Sequence, residues 1–508
     1  MADRVRIRLQ LSGESFEAPR GTPLRDALFG HGVEFPCGGR GQCKGCRVKV
    51  LEGDLPITAA QRGTLSPEEL AEGWRVSCLC RAEGDLTLDL AQWDTPILVD
   101  DTLFPFVPRE GLGVAVDLGT TTLAAQLLDL TTGHVLAVRA RLNPQAQHGA
   151  DLMSRISFAV AERGQGRLEG LVRAEIGAMI GELIRGAGVS KADVGDVVIV
   201  GNTAMHHLFC GIDVEPLSHY PFEPREDGLQ ILGAGDLEWP LDGAARARFL
   251  PCLGGFVGSD ILAGILAAEI HKSEALVGLI DLGTNGEIVL GSRSRIVCAS
   301  TAAGPAFEGA RISMGMRASS GAIAGAHVKG KRLVCRVLGD VKPRGLCGSG
   351  LVDVVACALD LGLILSSGRL ADGGPELPLQ GPVKLTQNDV RQLQLAKGAI
   401  AAGMRILLHR LGAEARDVER LYLAGAFGNY VSRSSARRIG LIRFPPARVR
   451  QAGNTALLGA KLALFSPPEQ EGAIARIVET VEHVSLNADP RFQDIYVEEM
   501  AFPEAASA

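Results

Sequence analysis

Four cysteines near the start of the 508-residue chain have types and a spacing that suit metal ligation. Cys37, Cys43 and Cys46 lie in one glycine-rich run, and Cys78 follows after 31 intervening residues. Structural zinc sites usually present two short cysteine pairs, whereas three ligands in one loop and a distant fourth resemble plant-type 2Fe-2S ligation, with one residue more in the first gap. We therefore expect these residues to hold a 2Fe-2S cluster and transfer electrons, with zinc as the alternative.

The fourth ligand has a competitor, because Cys80 lies two positions beyond Cys78. On a strand such residues point to the same face, so either thiol could face the cluster. The glycines between Gly38 and Gly45 free the loop to fold tightly, which lets backbone amides point at sulfur. The residues alone leave the choice between the two thiols open.

A second chemistry is indicated by an Asp-Leu-Gly-Thr string that occurs at both Asp117 and Asp281. Each string follows one apolar segment and precedes another, which predicts a strand, a tight turn and a second strand. Glycine lets the backbone approach phosphate, hydroxyls donate hydrogen bonds, and a carboxylate can hold Mg²⁺ through water. A plain β-turn explains one copy equally well, but the recurrence predicts two similar halves that bind a nucleotide.

Acidic residues beside these turns are candidates for catalysis. Asp117 and Asp281 could hold Mg²⁺, and Asp281 is the stronger acid-base candidate. Glu287 and Glu308 could orient magnesium or water, with a solvated loop carboxylate as the alternative for each. The paired His206 and His207 are interpreted as residues near a helix start and are left out of catalysis.

The elements that must position these residues are also visible in the sequence. Length suggests roughly three units. Strands are predicted for Val5–Leu11 and Asp85–Leu90, a helix for Leu24–Phe29, and a capping box from Ser66 to Glu69. The proline-containing stretch Ala91–Gly111 reads as a connector.

Composition excludes several classes of partner. The net charge of −6 is small for 508 residues, whereas nucleic-acid-binding proteins usually carry a concentrated basic face, so we expect no nucleic-acid partner. No apolar stretch reaches the roughly 18 to 20 residues needed to span a bilayer, so we expect no membrane insertion. The first residues read as a strand and not as a signal segment, which favours a cytoplasmic protein with reduced thiols.

The repeated turns resemble those of the acetate kinase, sugar kinase, Hsp70 and actin superfamily, and the cysteine run resembles the ferredoxin modules of multidomain reductases. Further stretches resemble one branch of that superfamily, the RACo- or RamA-type ATP-dependent reductive activators of corrinoid proteins. These stretches are Val200–His207, Gly254–Asp260, Ala302–Gly309, Cys347–Leu351 and Gln394–Ile400, while the strand with glycine loop Leu421–Asn429 resembles the adenosine loop of the wider superfamily.

The resemblance implies an α+β and α/β multidomain fold, with a β-grasp 2Fe-2S ferredoxin domain and a two-lobed, actin-like ATPase of RNase H-like fold. The implied domains are residues 1–91 (ferredoxin-like), 92–111 (linker), 112–196 (a small middle domain) and 197–508 (the ATPase). It implies Cys78 as the fourth ligand, and an adenosine loop near the C-terminus. The implied nucleotide-binding residues are Gly119, Thr120, Thr121, Gly283, Thr284, Asn285, Gly304, Gly425 and Gly428.

The function implied by the resemblance is transfer of one electron, driven by ATP, that reduces an inactive Co(II) corrinoid protein of a methyltransferase system to Co(I). An upstream protein must supply the electron, since the sequence lacks flavin and NADH motifs. The oligomeric state is open, with a homodimer as one arrangement. Two alternatives are an ATP-coupled electron donor to another metalloenzyme, and a redox-sensing ATPase or phosphotransferase of the same superfamily.

Overall fold

The computed structural model describes residues 3–10, 15–29, 41, 46–90, 106–149, 151–283, 285–309, 311–316, 318, 321–339, 342–428, 430–466 and 472–504. The chain divides into two compact units. The first unit comprises Met1–Ala267 and Thr455–Glu479, and the second comprises Ala268–Asn454 and Thr480–Ala508. Each unit is therefore assembled from two separate segments of the chain.

The N-terminal part of the first unit is a small α+β fold. Its strands are β1 Arg4–Leu9, β2 Ser15–Pro19, β3 Thr22–Pro23, β4 Arg47–Glu52, β5 Trp74–Val76, β6 Arg81–Ala82 and β7 Leu86–Leu90, and its helices are α1 Leu24–Phe29, α2 Ala59–Thr64 and α3 Pro67–Ala71. Five strands form a sheet in the order β2-β1-β7-β4-β5, in which β1 is parallel to β7 and antiparallel to β2. This mixed sheet confirms the predicted ferredoxin-like fold.

Local signals in this part predicted the elements well. β1 alternates exposed and buried residues, so that Val5, Ile7 and Leu9 enter the core. α3 begins at the predicted capping box, in which the Ser66 side chain accepts from the Glu69 N–H and the Glu69 carboxylate accepts from the Ser66 N–H. These contacts link residues three positions apart and are therefore readable from sequence.

The rest of the first unit is built on a second sheet. Its strands are β8 Leu112–Leu118, β9 Thr122–Asp129, β10 Val135–Leu142, β11 Val194–Gly201, β12 Gln230–Gly233 and β13 Arg246–Phe249, and its helices are α4 Leu152–Ala161, α5 Gln165–Ala187, α6 Thr203–Cys210 and α7 Ser259–Ala267. The strand order is β10-β9-β8-β11-β13-β12. The domain boundary that we predict between residues 196 and 197 falls within β11.

The second unit has a sheet of its own and an inserted group of smaller elements. Its strands are β14 Val277–Leu282, β15 Gly286–Ser292, β16 Arg295–Thr301, β17 Ala322–Lys329, β18 Arg332–Val337, β19 Gly345–Leu346, β20 Glu376–Gln380, β21 Val383–Thr386, β22 Arg420–Ala424, β23 Val449–Gly453 and β24 Val481–His483. Its helices are α8 Gly348–Asp360, α9 Gln387–Leu411, α10 Gly425–Gly428 and α11 Arg433–Arg438. The main sheet has the order β23-β22-β14-β15-β16-β24.

Three further helices complete the two units. α12 Thr455–Leu464 belongs to the first unit, α13 Gly472–Thr480 follows it, and α14 Phe492–Met500 belongs to the second unit. α14 lies against α9, where Gly398 contacts Tyr496 and Met500 closely enough that an added Cβ would meet both at 3.3 Å. The C-terminal helix thus covers one side of the longest helix of the second unit.

The two main sheets repeat one topology. β8, β9 and β10 form an antiparallel meander, and β11 and then β13 continue the sheet in parallel with β8. In the second unit β14, β15 and β16 form the same meander, and β22 and then β23 continue it in parallel with β14. The order β10-β9-β8-β11-β13 therefore recurs as β16-β15-β14-β22-β23, which confirms the predicted pair of similar halves.

Most of the predicted connector lies outside the described residues. Its end is described: the Phe106 ring lies 4.6 Å from the Phe465 ring, and Arg109 forms an ion pair with Asp196 at 3.5 Å. Residues 106–111 therefore pack on the first unit. In the part of the chain that the structure describes, no helix is long and apolar enough to cross a membrane.

Candidate functional site

Two of the four predicted cluster ligands are described, and their backbones adjoin. Cys46 immediately precedes β4 and is fully buried. Its carbonyl accepts hydrogen bonds from the Ser77 N–H at 3.1 Å and from the Ser77 Oγ at 2.7 Å. Ser77 precedes Cys78, so these bonds hold the loop that carries Cys46 against the turn that carries Cys78. Cys37 and Cys43 lie outside the described residues.

Cys78 and Cys80 lie in different surroundings. Cys78 lies in a 3₁₀ turn, Ser77–Leu79, and is partly exposed. Cys80 is only 5% exposed, its Sγ lies 3.0 Å from the Gln61 Nε2 that donates to it, and burial raises the pKa of its thiol to about 12. The alternation argument that put both thiols on one face does not apply, because this segment is not a strand. The geometry supports Cys78 as the ligand and Cys80 as a core residue.

Helix α2 braces the turn that carries Cys78. Gln61 is fully buried, and its side-chain amide pairs with both backbone groups of Val76, donating to the carbonyl at 3.1 Å and accepting from the N–H at 2.9 Å. From the same helix the Thr64 hydroxyl donates to the Gly41 carbonyl at 2.7 Å. Gly41 has a φ of +68°, and a Cβ there would meet Leu79 at 2.7 Å. The described residues thus fit a cluster loop that closes against the 77–79 turn.

The first Asp-Leu-Gly-Thr turn joins β8 to β9. Asp117 occupies the penultimate position of β8, and the Gly119 N–H donates to the Thr122 carbonyl at 3.1 Å. A Cβ at Gly119 would lie 2.6 Å from that carbonyl oxygen, so only glycine fits. The result is a tight turn between β8 and β9 that only glycine fits, and its phosphate-binding role stays a prediction.

Two asparagines hold this turn from neighbouring strands. Asn143, which follows β10, donates its Nδ2 to the Gly119 carbonyl at 2.9 Å. Asn202, which follows β11, donates its Nδ2 to the Thr120 Oγ1 at 2.9 Å, while its Oδ1 accepts from the Met205 N–H and caps α6. Both side chains are buried, with exposed fractions of 1% and 8%. Sequence reasoning assigned neither a role, although Asn before a helix start is a readable cap signal.

The second Asp-Leu-Gly-Thr turn joins β14 to β15 and has a different acidic environment. The Gly283 N–H donates to the Asn285 carbonyl at 3.1 Å. Asp281 lies directly opposite Glu287 across the antiparallel pair, so the two carboxylates share a face of the sheet. Ala124 occupies the corresponding position opposite Asp117 in the first unit. Thr284 lies outside the described residues.

Glu287 is held by the next strand. It is 9% exposed, and its Oε1 accepts from the Ser300 hydroxyl at 3.2 Å. Glu308 is exposed instead, at the end of a 3₁₀ turn. Burial and proximity to Asp281 therefore favour Glu287 over Glu308 as the second carboxylate of this turn.

The predicted adenosine loop meets the second turn at Asp281. Gly425 has a φ of +78°, and a Cβ there would lie 2.5 Å from the Asp281 Oδ1. The expected glycine loop is a single helical turn, α10, because Gly425 turns the chain directly from β22 into helical backbone. The structure thus brings the second turn and the C-terminal glycine segment together within one unit.

A third segment joins this neighbourhood through an aromatic contact. Gly304 has a φ of +75° and precedes a 3₁₀ turn that carries Phe307. The Phe307 ring stacks on the Phe427 ring of α10, with centroids 4.7 Å apart. Gly348, at the start of α8, approaches the Phe307 carbonyl so closely that an added Cβ would lie 1.8 Å from its oxygen. Segments far apart in sequence therefore converge beside α10.

His206 and His207 are core residues of α6. Both are fully buried, and burial lowers the pKa of His206 to about 4. The His206 Nε2 donates to the Gly228 carbonyl at 3.2 Å, and the His207 Nδ1 donates to the Thr203 carbonyl at 2.9 Å. Each ring thus donates to one backbone carbonyl, while the His207 Nε2 has no hydrogen-bond partner among the described residues. Both rings pack as neutral groups.

Three family profiles match the chain in succession. Residues 7–83 match the 2Fe-2S iron-sulfur cluster binding domain, residues 112–273 match the RACo middle region, and residues 275–508 match the C-terminal domain of RACo, the ASKHA domain. Together they cover the ferredoxin-like fold and the second sheet of the first unit, and almost all of the second unit.

Full-length similarity agrees with the profiles. The corrinoid activation enzyme RamQ of Eubacterium limosum is 34% identical over 97% of this chain and 98% of its own. The [Co(II) methylated amine-specific corrinoid protein] reductase of Methanosarcina barkeri is 28% identical over 77% of both chains. A solved structure, the reductive activator for corrinoid, iron-sulfur protein, matches with a TM-score of 0.68 and 25% identity over 98% of both chains.

Proposed function

Because the chain belongs to the RACo family of corrinoid activation enzymes, we propose that it reduces an inactive Co(II) corrinoid protein to Co(I) at the expense of ATP. It carries a 2Fe-2S cluster binding domain and an ASKHA ATPase domain in one polypeptide. The observation that carries the proposal is this combination, matched over nearly the whole chain to an enzyme named for corrinoid activation. The corrinoid protein is proposed to serve a methyltransferase system.

The N-terminal fold is proposed to hold the electron-transfer centre through Cys37, Cys43, Cys46 and Cys78. A 2Fe-2S cluster supplies reversible one-electron chemistry. The Ser77 bonds to the Cys46 carbonyl and the Gln61 bonds to Val76 fix the backbone on which the last two thiols are carried. Cys80 keeps a protonated thiol in the core, since burial raises its pKa to about 12. An upstream electron-donor protein is proposed to reduce this domain.

The two Asp-Leu-Gly-Thr turns are proposed to bind the phosphates of ATP. In the first unit the backbone at Gly119 and the hydroxyls of Thr120 and Thr121 would contact phosphate oxygens, and in the second Gly283, Thr284 and Asn285 would do so. Asp117 in the first unit, and Asp281 with Glu287 in the second, are each proposed as carboxylates that could hold Mg²⁺ through water or orient the attacking water. Gly304, Gly425 and Gly428 are proposed to lie along the nucleoside. The convergence of Gly425 and Asp281 within one unit supports this assignment.

ATP is needed because the electron must pass to an acceptor with a more negative reduction potential than its donor. Plant-type 2Fe-2S centres have potentials near −400 mV. Each further 100 mV that opposes a single electron costs about 2.3 kcal/mol. ATP can supply this free energy only if the nucleotide-bound protein has a different affinity for the corrinoid protein than the nucleotide-free protein. Nucleotide-dependent binding of the Co(II) partner is therefore part of the proposal.

An anaerobic reduction assay tests the function. The pre-reduced protein is mixed with a Co(II) corrinoid protein, with and without ATP and Mg²⁺, and the Co(I) absorption band is followed. Growth of the band only with ATP supports activation. A band that fails to grow with several corrinoid proteins, although the cluster is intact and reducible, would favour the redox-sensing ATPase instead.

Several further assignments belong to the same proposal. We place the protein in the cytoplasm, where its thiols stay reduced, and consider a homodimer as its assembly. We keep the division into residues 1–91, 92–111, 112–196 and 197–508 as a proposal. Size-exclusion chromatography with light scattering measures the assembly, and limited proteolysis locates the boundaries between independently folded parts.

A further inference from the structure

One segment of the second unit has an unusual charge composition. Residues 420–454 contain seven arginines and no lysine, aspartate or glutamate, although the whole chain has a net charge of −6. The segment includes α11, the turn that follows it and the edge strand β23 of the main sheet. Because the segment contains no acidic residue, the groups that neutralise its positive charges must lie elsewhere in the chain or on a partner.

Three of the seven arginines are neutralised by carboxylates of the same unit. The ion pairs are Arg420 with Glu419 at 3.5 Å, Arg438 with Asp360 at 2.5 Å and Arg443 with Glu499 at 2.8 Å. The remaining four form no ion pair with any residue that the structure describes. These four, Arg433, Arg437, Arg448 and Arg450, are called the arginine surface below.

The arginine surface is organised around the turn that precedes β23. The Arg433 guanidinium donates to the Val449 carbonyl at 3.1 Å, and the Arg450 guanidinium donates to the Ala447 carbonyl at 3.1 Å. Arg437 lies one helical turn after Arg433 on α11, so the two side chains share a face. Arg433, Arg437 and Arg450 are all exposed. Three positive charges thus project to solvent around one turn.

The fourth member extends the surface toward the segment before β22. The Arg448 guanidinium donates to the Arg416 carbonyl at 2.7 Å and to the Val418 carbonyl at 2.9 Å. Arg448 is partly exposed. Like Arg433 and Arg450, it is anchored by neutral backbone carbonyls, which fix the side chain and leave its positive charge uncompensated.

Anchored guanidiniums of this kind are prepared for anion recognition. An arginine already held by a carbonyl loses less rotamer freedom on binding than a free one, and its remaining N–H donors match the geometry of a carboxylate. Like charges four residues apart on one helix face repel one another, and a partner of opposite charge relieves the repulsion and speeds encounter. The arginine surface is therefore better suited to binding an anionic partner than to remaining exposed to solvent.

We propose that the arginine surface docks an acidic face of the corrinoid protein. This inference rests on the function proposed above, which names that partner, and goes beyond it by assigning the contact to four residues of the second unit. None of the four is among the residues proposed to bind nucleotide or cluster. Docking and ATP hydrolysis can therefore be separated by mutation.

The test reverses two of the charges and compares a matched control. The variant R433E/R437E is compared with K331E/R332E, which makes the same charge change at two exposed positions where β18 of the same unit begins. Binding of the full-length protein to the corrinoid protein is measured across a series of salt concentrations. Polyglutamate and a single-stranded oligonucleotide serve as simple acidic probes, and ATP hydrolysis and the cluster spectrum report folding.

We expect R433E/R437E to bind the corrinoid protein about ten-fold more weakly at low salt and to show a flatter salt dependence. K331E/R332E should bind like the wild type, and both variants should keep their ATPase activity and cluster spectrum. If both variants bind equally well while the wild type still forms Co(I), the docking inference is wrong and the proposed function stands.

Polyglutamate and the oligonucleotide test the arginine surface even when no corrinoid protein is reduced. If the wild type reduces no corrinoid protein, the proposed function fails, and the named partner with it. Selective loss of polyglutamate binding by R433E/R437E would still support an acidic protein partner for the surface, whereas equal binding by both variants would overturn it. If the oligonucleotide binds more tightly than polyglutamate at the same salt concentration, the inference that the partner is a protein is wrong.

Discussion

Gly425 and Asp281 stand so close that a Cβ on the glycine would lie 2.5 Å from the Asp281 Oδ1. They are 144 residues apart in sequence, and the pairing of β22 with β14 brings Ala424 beside Asp281. The acidic end of one strand and the start of α10 thus form a single local structure. Any side chain at position 425 must displace the carboxylate that we propose for Mg²⁺.

The first prediction concerns this contact. Gly425→Ala should abolish most nucleotide-dependent activity, because the added Cβ pushes the Asp281 carboxylate aside and the backbone has a φ of +78°. Gly412→Ala is the matched control: its φ is +65° and its Cβ would meet nothing within 4 Å. Both variants carry a backbone penalty of about 1–2 kcal/mol. The rate of ATP hydrolysis should be much lower for Gly425→Ala than for Gly412→Ala. Equal rates would show that the Asp281 carboxylate has no role in hydrolysis.

The second prediction concerns Asn202. Asn202→Ser keeps an oxygen that can cap α6 but is too short to reach Thr120, whereas Asn202→Ala loses both contacts. Both should weaken nucleotide binding about five-fold, the equivalent of a hydrogen bond worth about 1 kcal/mol. Only the alanine variant should also lose about 1 kcal/mol of helix-cap stability.

Nucleotide affinity and thermal unfolding together distinguish these effects. A serine variant with wild-type nucleotide affinity would show that Asn202 supports the helix alone. Asn143→Ala offers a second probe of the same turn, because its Nδ2 holds the Gly119 carbonyl at 2.9 Å.

The third prediction separates the two neighbouring thiols. Cys78→Ser should lose the visible absorption and the electron paramagnetic resonance signal of a 2Fe-2S centre. Cys80→Ser should keep both, because the Cys80 thiol is buried and accepts a hydrogen bond from Gln61. Iron content per chain checks the outcome. A cluster that survives in Cys78→Ser and disappears in Cys80→Ser would reverse the ligand assignment.

The fourth prediction concerns Lys397, which is fully buried in α9. Its ammonium donates to the Ala501 carbonyl at 2.6 Å and lies 5.5 Å from the centroid of the Phe502 ring. Burial lowers the pKa of Lys397 to about 8 from 10.5, against the opposing attraction of Glu499. The unfolded chain therefore binds more protons than the folded chain between these pH values, so the stability contribution of Lys397 rises as pH increases from 8 to 10.5.

The size of this effect is about 3 kcal/mol at most, from about 1.4 kcal/mol per pKa unit. Thermal unfolding of the wild type and of Lys397→Met, followed from pH 7 to pH 10.5, measures it. The stability of the wild type relative to the variant should increase above pH 8. Parallel curves would mean that Lys397 does not titrate in this range.

The sequence predicted features that depend on neighbouring residues or on an internal repeat. The capping box at Ser66 and Glu69 spans three positions, and the two Asp-Leu-Gly-Thr turns each lie between strands that are adjacent in the chain. Their recurrence was enough to predict two similar halves. These signals need no knowledge of tertiary contacts.

The residues that sequence reasoning missed depend on which distant strands become neighbours. Asn202 reaches Thr120 only because β11 pairs with β8 across 82 residues. Gln61 reaches Val76 through the packing of α2 on the turn before Cys78. Sequence alone did not distinguish Cys80 from Cys78, because the alternation argument assumes a strand. The chain forms a 3₁₀ turn at Ser77–Leu79 instead. Such contacts follow from topology, which one sequence does not display.

The central claim is that ATP hydrolysis in one part of the chain drives an electron from another part to cobalt. The most direct measurement compares the wild type, Cys78→Ser and Asp281→Asn in the anaerobic Co(I) assay. We predict Co(I) only for the wild type with ATP, while Cys78→Ser still hydrolyses ATP and Asp281→Asn keeps a reducible cluster. Equal Co(I) formation without ATP, or by Asp281→Asn, would contradict the account.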